Sequence, residues 1–189
     1  NGKDSVLINF NTPFEASPLG SLLQVNDSML YGMTDSGGAF NEGTLFSYNI
    51  LTNKDSVLVS FADTNGKYPC GSLIKDTNGL LYGMTPLGGT NGTGVLFSYN
   101  PLTGKDSILV NFTGANGSTP YGSLMRATNG LLYGMTRFGG GAGAGVIFSY
   151  NPVNGKDTVW VNFNGINGSY PYGSLMQAAN NLLYGITYQ

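Results

Sequence analysis

The residues able to do chemistry are few, and eight of the eighteen charged ones stand in fixed columns. Lys3-Asp4-Ser5-Val6 recurs as Lys54-Asp55-Ser56-Val57, Lys105-Asp106-Ser107-Ile108 and Lys156-Asp157-Thr158-Val159. Adjacent opposite charges of this kind keep a strand edge soluble. General acid–base chemistry instead needs titratable groups that converge on one cleft. Outside the Lys-Asp columns no acidic or basic residue type recurs. Asp35 and Glu42 share a loop, but the next copies place Pro86 and Thr93, then Arg137 and Ala144, at the same positions. The chain has no histidine to activate a serine, and Cys70 is its single cysteine. Disulfides and His- or Cys-ligated metal sites are therefore excluded, no cofactor is expected, and the expectation is a protein that is not an enzyme. Cys70 occupies the column of Tyr121 and Tyr172, which points to packing rather than reactivity.

Other candidate sites concern sugars. Asp followed by Ser or Thr and an apolar residue occurs at Ser5, Ser56, Ser107 and Thr158, with a fifth copy at Ser28. This resembles the O-glycosylation signal that Bacteroidota use on exported proteins. The same residues could also finish a turn by capping backbone amides. N-glycosylation sequons stand at Asn26, Asn91, Asn111, Asn116 and Asn167, as expected by chance in part for an Asn- and Ser-rich chain. Tyr121 and Tyr172 are candidates for stacking on a sugar ring, or for packing between neighbouring units. Two columns vary from copy to copy: Gln24, Lys75, Arg126, Gln177 and Asp35, Pro86, Arg137, Tyr188. Aromatics also stand in the loops, at Phe40, Tyr68, Phe138 and Tyr170.

The elements that must position these residues follow from a period of 51 residues, kept without insertion or deletion. Tyr31, Tyr82, Tyr133 and Tyr184 keep this spacing, as do Pro18, Pro69, Pro120 and Pro171. A fixed period of this length means stacked supersecondary units, each too small to bury its own apolar face. Within one copy, four β-rich stretches alternate with Gly, Asn and Pro. They are 122–127, 131–136, 146–150 and 156–163, with Asn129-Gly130 as a tight turn and 137–145 as a flexible glycine-rich connection. Val159, Val161 and Phe163 are expected to face one way. Nothing has helical spacing. The fold class is therefore all-β: tandem four-stranded antiparallel blades in a β-propeller-like array.

Charged residues make up only 10% of the chain, and the net charge of -2 gives no electrostatic reason to bind nucleic acid or an anionic membrane. No apolar run approaches the ~18–20 residues of a membrane span. With 41% apolar and 12% aromatic residues, both recurring at fixed positions, the expectation is an ordered chain.

Two family resemblances rest on these motifs. Glycine pairs after an apolar strand (Gly37-Gly38, Gly88-Gly89, Gly139-Gly140) and the Tyr-Asn-Pro turn resemble kelch repeats, with the pair displaced into the loop. A closer set is Leu132-Tyr133-Gly134-Met135-Thr136, Gly139-Gly140, Gly145-Val146-Ile147-Phe148 and Phe163-Asn164-Gly165-Ile166-Asn167-Gly168. It resembles the gloVer repeats of bacterial surface proteins with variable C-terminal anchors, and covers essentially the whole chain. That resemblance implies a secreted or cell-surface location and carries no catalytic motif.

The expected boundaries are a lone outer strand and linker over 1–19, blades over 20–70, 71–121 and 122–172, and a partial blade over 173–189. The chain starts inside a repeat and not at Met, so it is expected to be a mature chain or a section of a longer array. The expected partners are other copies of the protein through self-association, or another chain that complements a strand, and glycans. The expected function is a structural or adhesive extracellular protein, as a filament or surface-assembly subunit; a carbohydrate-binding module is the alternative.

Overall fold

The computed structural model describes residues 5–12 and 15–189. No helix occurs among them. β1 (Asn11–Thr12) and β2 (Glu15–Ala16) form a short ribbon. The first blade is β3 (Leu23–Gln24), β4 (Met29–Thr34), β5 (Thr44–Asn49) and β6 (Lys54–Ser60). The second is β7 (Ile74–Lys75), β8 (Leu81–Thr85), β9 (Val95–Asn100) and β10 (Lys105–Asn111). The third is β11 (Met125–Arg126), β12 (Leu132–Thr136), β13 (Val146–Tyr150) and β14 (Asp157–Asn162). β15 (Met176–Gln177) and β16 (Leu183–Tyr184) pair as a half blade. Each full blade is an antiparallel meander in chain order, so its fourth strand has one partner and one free edge.

Two segments differ from the expectation, and one turn is defined more closely. Residues 5–10 belong to no strand, whereas the expectation for 1–19 is a lone outer strand and linker; residues 1–4 lie outside the described residues. In the three full blades the fourth strand pairs with the third strand of its own unit. The turn at Asn129-Gly130 needs positive φ only at Gly130, which donates its N–H to the Ala127 carbonyl at 3.0 Å. Asn129 instead bonds the Tyr133 hydroxyl through Nδ2 and the Leu131 N–H through Oδ1. The segment 137–145 is tied down rather than flexible. Gly145 N–H meets the Gly139 carbonyl at 3.0 Å, and Gly140 N–H reaches Gly114 of the preceding unit at 2.7 Å.

The core lies between blades. One face of the first blade supplies Tyr31, Met33, Leu45, Val59 and Phe61; the facing side of the second supplies Leu73, Leu81, Val95, Phe97 and Tyr99. The same columns rebuild the next seam, with Tyr82, Met84, Leu96, Val110 and Phe112 against Leu124, Leu132, Val146, Phe148 and Tyr150. Phe61 meets Phe97 edge-on at 5.2 Å and Phe112 meets Phe148 at 5.1 Å, a preferred aromatic geometry. Phe10 keeps its column by meeting Phe46 at 5.2 Å. A bulge interrupts each fourth strand, between Val57 and Val59, Ile108 and Val110, and Val159 and Val161, and in the first two blades it sets the valine after it into the seam. Val59 and Val110 are buried, whereas Trp160 at the third bulge points out.

The first strands of successive units start in contact. The N–H groups of Ser21, Ser72 and Ser123 each donate to the hydroxyl of the serine one unit on, at 2.8 Å. A Cβ on Gly20, Gly71 or Gly122 would overlap the carbonyl oxygen of the next glycine in the column. This line of touching backbones is the axis from which the blades fan. Cys70 lies beside it, half-buried, its thiol 3.3 Å from the Tyr121 carbonyl. Burial, helped by the Asp35 charge, pushes the thiol pKa up to about 11.

Three expected outcomes follow. Phe148→Ala removes the ring shared by two blades; large-to-small changes at such sites cost about 3–5 kcal/mol, so the calorimetric unfolding midpoint drops by roughly 10 °C. An unchanged midpoint would remove Phe148 from the seam. Gly122→Ala destabilises strongly by steric overlap, whereas Gly141→Ala, with open space around its Cβ, leaves urea stability unchanged or slightly raised. Cys70 stays protonated at about pH 8, so its exchange with an aromatic disulfide runs at least about tenfold slower than that of a free cysteine and accelerates on unfolding. A rate equal to the free thiol contradicts the buried placement.

Candidate functional site

The Asp-Ser/Thr columns fall on the outermost strands β6, β10 and β14. Ser56 is exposed, and Ser107 and Thr158 are half-buried. Ser56 Oγ donates to the Asp55 carbonyl at 2.7 Å. Asp157 accepts a bond from Asn116 Nδ2 at 3.1 Å, tying the third blade to the turn that precedes it. Ser5 is exposed outside any strand, and Ser28 lies in the first hairpin with its hydroxyl on Asn26 Oδ1 at 3.1 Å.

The sequon asparagines are turn-building residues. Asn116 and Asn167 accept the N–H groups of Thr113 and Asn164, three residues earlier, as Asn65 accepts that of Ala62. Their amide nitrogens, together with that of Asn91, also donate, to Asp157, to the Asn162 carbonyl and to the Phe112 carbonyl. Asn111 accepts the Thr90 N–H at 2.8 Å, as Asn162 accepts that of Gly141, fastening the glycine loop to the outer strand. Asn26 Oδ1 closes the first hairpin.

The two variable columns do not meet, because they occupy opposite ends of the inner hairpin. Residues 24, 75, 126 and 177 end the first strands, and three of them reach back to the preceding unit. Lys75 donates to the Val25 carbonyl at 3.1 Å, Arg126 pairs with Asp76, and Gln177 accepts the Thr128 N–H at 2.8 Å. Differing chemistry thus does one job, tying unit to unit.

The other column follows the second strand and borders the axis. Asp35 acts on Cys70 there, and burial raises its own carboxyl pKa. Arg137 is the centre of an aromatic cluster. Its guanidinium carbon is 4.3 Å from the Tyr172 ring centre, 4.6 Å from Phe138 and 5.8 Å from Tyr121. Tyr121 and Tyr172 lie 5.2 Å apart, Tyr170 packs on Phe138 at 5.5 Å, and Tyr188 meets Tyr172 at 6.3 Å. Arg137 Nε is buried without a hydrogen-bond partner among the described residues. Cation–π attraction holds this guanidinium in place of a carboxylate. Tyr121 and Tyr172 therefore pack between neighbouring units, and the more open rings of the cluster are Phe138, Tyr172 and Tyr188. A cavity of about 240 Å³ opens beside Tyr172, Ile186 and Tyr188. Phe40 and Tyr68 stand apart: Phe40 is exposed, and Lys67 lies over the Tyr68 ring while pairing with Glu42 and Asp63. The sequence singles out Arg137 only by its changing column; its place as the hub needed the contact between consecutive units.

No group of three or more His, Cys, Asp or Glu side chains suited to a metal occurs among the described residues.

A search of curated proteins finds no match. Among solved structures, the chain is similar to the extracellular domain of a putative one component system, BT4673, from B. thetaiotaomicron, with a TM-score of 0.64 and 16% identity over 93% of this chain and 21% of that one. It is also similar to TolB from Acinetobacter baumannii, with a TM-score of 0.57 and 13% identity over 93% of this chain and 40% of that one. A chain of a nidogen/laminin complex matches with a TM-score of 0.54 and 15% identity, over 90% of this chain and 72% of that one. The chain thus spans less than half the length of the first two. These likenesses concern the fold alone, which is propeller-like and β-repetitive. The family model described as the Gloeobacter/Verrucomicrobia repeat matches residues 1–189, and the chain belongs to that family.

Proposed function

We propose that this chain is a non-enzymatic section of an extracellular surface protein, structural or adhesive in role, that assembles with further units and carries O-linked glycans. The observation behind this reading is the use made of the recurring residues. The apolar columns form the seams, the Gly-Ser column forms the axis, and the Asn columns fasten turns to strands. What recurs therefore builds stacking. The Asp-Ser/Thr columns supply the surface chemistry, on the strands with free edges, where an attached glycan projects away from the seams. An extracellular place accords with the family and with the extracellular domain from B. thetaiotaomicron.

A second reading, carbohydrate binding, is favoured by Arg137. A guanidinium with an unpartnered Nε among partly open aromatic rings suits an acidic saccharide better than a neutral one, since the anion meets the charge while the ring stacks.

The test is the intact mass of the protein from its native source, with fragmentation. Increments of sugar size on Ser56, Ser107 or Thr158, above the 19.9 kDa of the bare chain, are expected. An unmodified mass at these residues would sink the glycan-bearing reading. On an array of acidic and neutral glycans, the structural reading expects no saturable binding; saturable binding of acidic glycans that Arg137→Met abolishes would instead establish the second reading.

A further inference from the structure

Between the first and second full blades, at the outer end of their seam, lies a cavity of about 450 Å³. The first blade lines it with Val25, Asn26, Met29 and Tyr31, and the second with Lys75 and Pro101. Complete four-stranded blades, β3–β6 and β7–β10, stand on its two sides. Its size falls within the range of small-molecule pockets.

Two polar groups of this cavity lack the partners that their counterparts have in the next seam. The first is Lys75. Arg126, one unit on, pairs with the Asp76 carboxylate and reaches the Thr77 hydroxyl. In the first seam the column of Asp76 holds Val25. Lys75 Nζ bonds the Val25 carbonyl at 3.1 Å and has no ion pair among the described residues. An ammonium carries three donors, so that carbonyl leaves room for a further acceptor. The second group is the Tyr31 hydroxyl. Asn78, Asn129 and Asn180 each donate to the hydroxyl of the tyrosine four residues on, which is Tyr82, Tyr133 and Tyr184. Asp27 stands in place of that asparagine in the first blade, and the Tyr31 hydroxyl makes no hydrogen bond among the described residues. Burial raises its pKa, so it keeps a proton to donate. In the second seam the Asp76 charge acts on Tyr82 while its carboxylate holds Arg126. A carboxylate in that place therefore stands near both groups at once.

We propose that this cavity binds a small carboxylic acid with an apolar body, whose carboxylate meets Lys75 and Tyr31 as the Asp76 side chain meets Arg126 and Tyr82. The apolar body lies against Val25, Met29 and Pro101. The neighbouring seams supply this partner from within: Asp76 serves Arg126, and Gln177 is satisfied by the Thr128 N–H. The first seam has the cation and the phenol without the anion, and an apolar wall where the anion's own chain would enter. This site is separate from the Arg137 cluster, which lies at the opposite end of the inner hairpin beside the axis.

The test is isothermal titration calorimetry of the 189-residue chain with 4-phenylbutyrate, whose ring and short chain supply the apolar body. Saturable one-to-one binding is expected. The neutral isostere 4-phenylbutanamide is expected to bind at least about tenfold more weakly, for want of the charge-assisted hydrogen bond. Lys75→Gln, which matches Gln177 in the column, is expected to weaken the acid by a similar factor and to leave the amide unaffected. Val25→Asp returns an internal carboxylate to Lys75 and is expected to abolish binding of the acid. Circular dichroism checks that both variants keep the β-sheet fold. No saturable heat up to about 10 mM acid overturns the proposal. So does equal binding of acid and amide, or binding of the acid that either variant leaves unchanged. Binding lost in Arg137→Met but kept in Lys75→Gln overturns it too, moving the ligand to the cluster at the axis. The glycan-bearing reading does not enter this test, since it is decided by the native mass.

Discussion

The array depends on a ring lying over a glycine. Gly83 of the Leu-Tyr-Gly motif pairs across the ladder with Phe97, and a Cβ there would come within 2.6 Å of the ring. The same holds for Gly32 under Phe46 and Gly134 under Phe148. The missing side chain lets the ring lie down across the strand, which offsets the weakness that glycine brings to a sheet. Held there, the ring presents itself to Phe61 or Phe112 of the preceding blade. One constraint thus sets the conformation of a strand pair and the position of its neighbour. It explains why the motif's glycine and the phenylalanine fourteen residues later travel together through the copies.

Around that seam the units are joined in ways that tolerate change. The axis allows almost none, because backbones touch there and leave no room for a Cβ. The outer end of the first strands allows a great deal: a lysine, an arginine and a glutamine each find a different partner on the unit before. Long polar side chains can do this because hairpin turns expose carbonyls, amides and carboxylates within their reach. A column of unlike residues therefore signals no ligand by itself; its members share a distance to span rather than a chemistry.

Periodicity made the blades legible, since a 51-residue spacing and four β-rich stretches leave few other architectures. The third strand, Val146–Tyr150, lies where the sequence puts it. The first strand is shorter than 122–127, pairing only at Met125 and Arg126, because the residues before them bond to the adjacent unit's serine instead of to a strand. The bulge at Leu58, Leu109 and Trp160 was not legible, for an alternating pattern reads the same with one residue slipped. The glycine loop looked loose because composition alone reports conformational freedom. Its anchors are carbonyls of the preceding unit and the side chains of Asn111 and Asn162, which no local reading joins to it. The Arg137 cluster was half visible: Tyr121, Tyr172, Phe138 and Tyr170 stood out as aromatics, but their meeting is a product of stacking one unit on the next.

The mouth of the axis is where this fold has freedom to acquire specificity. Moving along it, Asp35 faces Cys70, and Arg137 faces Tyr172. A negative charge at one station and a positive one at another arise without any change to the seams, because residue 35 and its counterparts follow the last buried threonine of the second strand. Thr34, Thr85 and Thr136 are fully buried and bond the carbonyl two residues on. They fix the exit of the chain whatever side chain comes next. A constant buried threonine and a changeable residue thus stand at adjacent positions, and each unit can change what it displays at the axis while its neighbours remain packed against it.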